Sequence, residues 1–133
     1  VVNVVDKFID EGVIVSTKSR VLFENHEFLA TPDKTTFTKK VPIVILINRG
    51  SASASEILSG ALKDYHLAYL VGEKTYGKGS VQQVIPLSNT DGFKMTTARY
   101  YTPSDVNIDK IGIPPDLEIK NFFIFVFIRH VKN

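Results

Sequence analysis

Val41-Pro42-Ile43-Val44-Ile45-Leu46-Ile47, running into Asn48-Arg49-Gly50-Ser51-Ala52-Ser53-Ala54-Ser55-Glu56, is the stretch whose reading decides the fold. The first seven residues are almost all β-branched or aliphatic, which predicts a strand buried on both faces. Past the small hydroxyl residues, Ala54, Ile57, Leu58, Ala61, Leu62 and Tyr65 recur at helical spacing and predict an amphipathic helix with one apolar stripe. The junction therefore sets serines where a strand ends and a helix begins. Unpaired backbone N–H groups and the positive end of the helix dipole meet there, a setting that suits a nucleophile.

Working outward, Leu67 to Val71 reads as a second buried strand and completes a strand-helix-strand unit, normally a right-handed crossover between parallel strands. Gly72 to Ser80 is a glycine-punctuated loop. Val81 to Leu87 and Phe93 to Tyr101 read as strands that make a hairpin about the turn Asp91-Gly92. Pro103 to Pro115 is irregular, and Leu117 to Ile119 adds a last short strand. Toward the amino end, Val1, Val2, Val4, Val5, Phe8 and Ile9 repeat with helical period, with Gly12 as the stop. Val13 to Val15 reads as a strand, Val21 to Phe23 and His26 to Ala30 as a polar-edged hairpin around Glu24-Asn25, and Thr31 to Lys40 as a solvated loop. Asn121 to Ile128 carries seven consecutive apolar residues. That is far short of the ~18 needed to span a bilayer, so it reads as a buried or aggregation-prone strand.

The bounds are consistent with one enzyme-sized unit. A chain of 133 residues suffices for one domain with its own core. Sixteen basic and fourteen acidic residues leave a net charge of +2, spread along the sequence, which gives no nucleic-acid surface. With no cysteine there is no disulfide, thiol nucleophile or thiolate metal site. The first residues are Val-Val rather than Met, so the chain is expected to be an internal fragment or a mature product.

A serine nucleophile needs a base. His66 lies on the predicted helix itself, roughly 20 Å beyond Ser53 at ~1.5 Å per residue, and cannot serve. His26 and His130 read as surface histidines, and no histidine or carboxylate pair has zinc-ligand spacing. Lys78 remains. It sits between Gly77 and Gly79 in the loop after the neighbouring parallel strand, and loops at the same edge of a parallel sheet can meet. A lysine amine in water is protonated near pH 7, so it becomes a base only in apolar surroundings. Two blander readings stand beside this one: Ser53-x-x-Glu56 is a capping box, and Lys78 is a solvated loop residue. A rival motif also overlaps the loop. Gly72 to Lys78 matches the first seven positions of G-x-x-x-x-G-K-[ST], but Gly79 stands at the eighth and a strand follows instead of a helix.

The run Val41 to Asp64, the stretch Val71-Gly72-Glu73-Lys74-Thr75-Tyr76-Gly77-Lys78-Gly79-Ser80-Val81-Gln82, the segment Thr96 to Pro103 and Gly112-Ile113-Pro114-Pro115-Asp116 together resemble the catalytic core of the carboxyl-terminal processing (tail-specific) proteases. The resemblance covers residues 1–119 and leaves 120–133 as an apolar tail of unknown role. It implies an α/β fold of crotonase/ClpP-like strand-strand-helix units, present as a partial catalytic domain. It also implies Ser53 as nucleophile, Lys78 as base, Gln82 as the residue that orients the lysine, and the Ala54 N–H as an oxyanion donor. Gln82 lies four positions after Lys78 on a predicted strand, which sets both side chains on one face. Asp64 matches an acidic position of the family and is expected to anchor structure rather than carry protons.

The implied function is serine-type endopeptidase action near the C-terminus of a protein with an unstructured tail, through an acyl-enzyme and without a cofactor. The implied compartment is extracytoplasmic, either periplasm, cell envelope or organelle lumen. Membrane association through missing parts and homo-oligomerisation are left open. Members generally carry a PDZ domain and a glycine-rich segment that supplies a second oxyanion donor, and this sequence has neither. Lys63 and Leu67 also replace residues common in the family. The alternatives are a non-catalytic crotonase-like binding or assembly module and an inactive fragment of the protease.

Overall fold

In the computed structural model, which describes residues 1–20, 24–36, 41–88 and 90–120, the expected strand-helix-strand unit is present. Strand β3 (Ile43–Ile47) leads into helix α2 (Ala54–Asp64), and strand β4 (Ala68–Gly72) returns parallel to β3 with Ile43 opposite Ala68 and Ile47 opposite Gly72. A short strand β7 (Leu117–Glu118) adds to β4, also parallel, and gives the order β3-β4-β7. The apolar stripe of α2 faces this sheet. Ile57, Ala61 and Leu62 are buried on it against Ile47 and Leu70, with Val5, Ile9, Ile14, Val15, Ile108 and Ile113 completing the core. Full burial of a side chain such as Leu62 stabilises the fold by ~1.5–3 kcal/mol.

A second, antiparallel sheet has the order β2-β1-β6-β5, built from β1 (Val13–Ser19), β2 (His26–Leu29), β5 (Ser80–Pro86) and β6 (Gly92–Tyr101). The expected hairpin of Val81 to Leu87 with Phe93 to Tyr101 is β5 and β6, interrupted by a bulge between Val81 and Gln82. Both sheets and the helices make an α/β arrangement, and Asp64 is an anchor in it. Its Oδ2 accepts the Ser104 N–H at 2.9 Å and the Ser104 hydroxyl at 2.7 Å, pinning the loop after β6 to the end of α2.

Four expectations are corrected. Strand β3 is not buried on both faces: Ile45 and Ile47 turn inward, but Val44 is 62 % and Leu46 47 % exposed, because α2 covers one side only. The strand His26–Leu29 pairs with β1 rather than with Val21 to Phe23, which lie outside the described residues. The opening helix, α1 (Val2–Val5), stops well before Gly12, since Lys7 and Phe8 close tight turns onto Val4 and Val5 instead. Helix α2 ends at Asp64, so His66 is past it, at φ +54 with its N–H on the Lys63 carbonyl. The stretches Lys40 and Asn121 to Ile128, with His130, also fall outside the described residues.

Candidate functional site

Small residues make the turn from β3 to α2 possible. The Asn48 carbonyl accepts the Ser51 N–H at 2.9 Å, and the Asn48 side chain accepts the Gly50 N–H at 2.9 Å, folding the chain back sharply. Ser53 then enters the helix at φ +56 and ψ −113. A side chain seldom adopts that conformation, and holding one there costs ~1–3 kcal/mol. An ordinary helix cap sits in the extended region. A serine forced to positive φ at a strand-to-helix turn has instead the geometry of a nucleophile elbow, which lifts the hydroxyl clear of the backbone. Ala52 and Ala54, with methyl side chains, flank it.

Glu56 holds this turn in place. Its side chain is fully buried, and each carboxylate oxygen accepts two hydrogen bonds. Oε2 takes the Ser53 N–H at 2.9 Å and the Lys78 N–H at 2.8 Å. Oε1 takes the Gly77 N–H at 2.6 Å and the Thr75 hydroxyl at 2.5 Å. The expected capping box is therefore present: the Ser53 side chain faces the Glu56 N–H, and the Glu56 carboxylate accepts the Ser53 N–H at 2.9 Å. Because the Ser53 and Lys78 amides share one oxygen atom, their nitrogens are no farther apart than those two bond lengths combined. Residues 25 positions apart in sequence thus start from one point.

The loop from Gly72 to Gly79 is stitched down along its length. Ile47 and Ser51 carbonyls accept the Glu73 and Tyr76 N–H groups at 2.9 and 3.0 Å, and Arg49 pairs with Glu73 at 3.3 Å. On the other side, Lys110 N–H donates to Gly77 O at 2.8 Å and Ile113 N–H to Thr75 Oγ1 at 2.7 Å. Gly77 has φ +89, and a Cβ there would press on the Lys110–Gly112 backbone at 3.0–3.1 Å, so glycine is required. The loop's amides do hold an anion, but it is the internal Glu56 carboxylate rather than a phosphate. No phosphate has access to the Gly77 and Lys78 amides.

The remaining candidates are placed as follows. Ala54 is the first residue of α2, where no preceding turn offers its N–H a carbonyl. Lys78 is exposed and lies ahead of β5, which starts at Ser80; Gln82 is exposed on β5 beyond the bulge. The expectation of one strand carrying both side chains on one face does not describe this geometry, since the loop and the bulge both intervene. His26 is exposed on β2. No group of three or more His, Cys, Asp or Glu residues able to hold a metal occurs among the described residues. Beside the serine turn is a recess of about 380 Å³ lined by Leu46, Ile47, Asn48, Gly50, Ser51, Ser55 and Val71. A larger hollow of about 1140 Å³ lies on the antiparallel sheet among Lys18, His26, Phe28, Gln83, Met95 and Arg99, and neither it nor the smaller recess is lined by Ser53, Ala54, Lys78 or Gln82.

Sequence reasoning missed two things: the strained backbone of Ser53 and the joining role of Glu56. The second had a signal, since a glutamate three residues after a helix-entry serine, facing a Gly-Lys-Gly loop rich in free N–H groups, is a carboxylate with donors within reach.

Comparison with known proteins gives a consistent result. The model of a family described as Peptidase family S41 matches residues 1–119. A carboxy-terminal-processing protease of Bartonella bacilliformis is 46% identical over 119 residues, covering 90% of this chain and 27% of the relative. The chloroplastic C-terminal processing peptidase of Tetradesmus obliquus is 41% identical over 118 residues, covering 89% of this chain and 25% of the relative. Among solved structures, a photosystem II D1 C-terminal processing protease superposes with a TM-score of 0.79 at 40% identity, over 89% of this chain and 30% of that one. The chain spans about a quarter of the length of the curated relatives it matches.

Proposed function

Because this chain belongs to peptidase family S41, we propose that residues 1–119 are the catalytic core of a serine endopeptidase that cuts proteins near their C-termini. Ser53 Oγ attacks the scissile carbonyl while the Lys78 amine takes its proton. The tetrahedral oxyanion forms toward the Ala54 N–H at the start of α2. Collapse expels the amine product, which receives the proton from Lys78, and water releases the acyl group from Ser53 by the reverse sequence. Gln82 orients the Lys78 amine. No cofactor takes part in this scheme.

The observation that carries the reading is the strained Ser53 at the strand-to-helix turn, tied through Glu56 to the amide of Lys78. A serine whose only task was to cap α2 would gain nothing from positive φ. Lys78 is exposed in these 133 residues, so the apolar enclosure that a lysine base requires comes from bound substrate and from the rest of the protein. Relatives named for chloroplasts and for C-terminal processing support a substrate with an unstructured tail and a compartment outside the cytoplasm, in a periplasm, cell envelope or organelle lumen. No helix among the described residues is long and apolar enough to cross a membrane.

The test uses the full-length protein and an unstructured peptide with an apolar C-terminus. Cleavage by the parent, with kcat lowered at least ~10³-fold in Ser53→Ala and Lys78→Ala and with unchanged folding, is the expected result. Undiminished cleavage by Ser53→Ala would instead leave a crotonase-like binding or assembly module.

A further inference from the structure

Among the described residues, strand β5 is an edge of the antiparallel sheet. Leu87 N–H donates to Asp91 O at 2.9 Å, the first ladder bond beside the hairpin turn. Antiparallel pairs alternate between bonded and non-bonded, and the register runs Pro86 to Gly92, Ile85 to Phe93, Val84 to Lys94, Gln83 to Met95 and Gln82 to Thr96. Counting from Leu87, Ile85 and Gln83 turn their N–H and C=O toward β6, whereas Val84 and Gln82 turn theirs to the open edge. Pro86 also falls on the outward set, where its missing N–H costs nothing.

This edge begins at the candidate site. Ser80, the first residue of β5, is two positions after Lys78, whose amide shares the Glu56 oxygen with Ser53. The bulge at Val81 and Gln82 sits at that same end, and Val84 is 69 % exposed. The edge of β2 is on the far side of the sheet, with β1 and β6 between it and β5. The edge of β3, all aliphatic from Ile43 to Ile47, is the kind of strand found inside parallel sheets rather than at a docking edge. Strand β5, with Gln82, Gln83 and Pro86, is composed as an edge.

We propose, resting on the peptidase reading above, that the substrate polypeptide adds to β5 as an extra strand, bonded through the outward N–H and C=O groups of Gln82 and Val84. A peptide bond presented to Ser53 must be extended, and once the site closes its N–H and C=O groups need partners. Strand addition supplies them without reading side chains. The partner is therefore any unstructured polypeptide segment, held by its main chain.

Two series test this on the full-length protein. In the first, a cleavable peptide carries a single backbone N-methyl group at successive positions around the scissile bond. Binding of the same labelled peptides to Ser53→Ala protein is followed by fluorescence anisotropy. KM and Kd should rise about tenfold at every second position and much less between, the size of one lost hydrogen bond. In the second, Val84→Pro removes one outward N–H and should raise KM about tenfold with kcat within about twofold. Val84→Ala, which keeps that N–H, should raise KM less. Cleavage with no alternation, or equal KM for Val84→Pro and Val84→Ala, overturns the edge proposal and leaves the peptidase reading. Alternating binding by a parent protein that does not cleave overturns the peptidase reading and keeps the edge. Neither binding nor cleavage overturns both.

Discussion

Ser53 stands at φ +56 with its N–H on a buried carboxylate and its side chain in a capping box with Glu56. Ser53→Ala removes the side-chain arm of that box and should lower stability by about 1 kcal/mol. Ser53→Gly, which suits positive φ, should match or exceed the parent by up to about 1 kcal/mol while being inactive. Denaturant unfolding of the three proteins checks both statements. Glu56 has the opposite profile. Each of its oxygens accepts two donors, so Glu56→Gln, with one oxygen exchanged for an NH₂ group, leaves two donors facing a donor in either orientation of the amide. A loss of about 2–4 kcal/mol is expected, measured by the same unfolding experiment. At this scale the strand-to-helix turn was legible between a β run and an α stripe, whereas the choice of Ser53 among its three serines rested on the family resemblance alone. The strain was not legible, because φ at Ser53 follows from tertiary ties to Gly77 and Lys78, which local sequence does not encode.

The elements were legible where their periodicity was strong. Helix α2 and the parallel pair β3 and β4 follow from their apolar patterns, and the hairpin β5 and β6 from its turn at Asp91-Gly92. The partner of β2 was not legible, since pairing with β1 is decided by distant packing. One joint between elements sets a pH dependence. Burial opposes ionisation of Asp116, but the Leu70 N–H at 2.8 Å and the Lys63 amine at 3.0 Å outweigh it and hold its carboxyl below the usual carboxylate range. A carboxyl depressed in the folded state stabilises the fold above its unfolded pKa of ~3.9, and this contribution disappears as pH falls through the folded value. The pH dependence of unfolding below about pH 4 should accordingly be shallower in Asp116→Asn than in the parent. Equal slopes would remove Asp116 from this role.

Among the described residues, one face of the parallel sheet is covered by α2, and on the other Val44, Leu46, Tyr69 and Leu117 are 47–62 % exposed. Strands of this kind are normally covered on both sides, which is why the sequence reads as doubly buried while the described residues cover one face. A chain this size with such a face should associate when produced alone, and Val44→Lys with Leu46→Glu should shift it toward monomer in light scattering. If the double variant associates as strongly, another surface is responsible. The Ser53 and Lys78 backbones are nevertheless already joined through Glu56 within the described residues, so that link needs no further part of the protein. The most direct test of that account treats the full-length protein with a serine-reactive fluorophosphonate and maps the adduct by mass spectrometry. The account predicts modification of Ser53 and not of Ser51 or Ser55, and its loss in Lys78→Ala. An adduct on either neighbouring serine, or one on Ser53 that forms equally fast without Lys78, would contradict it.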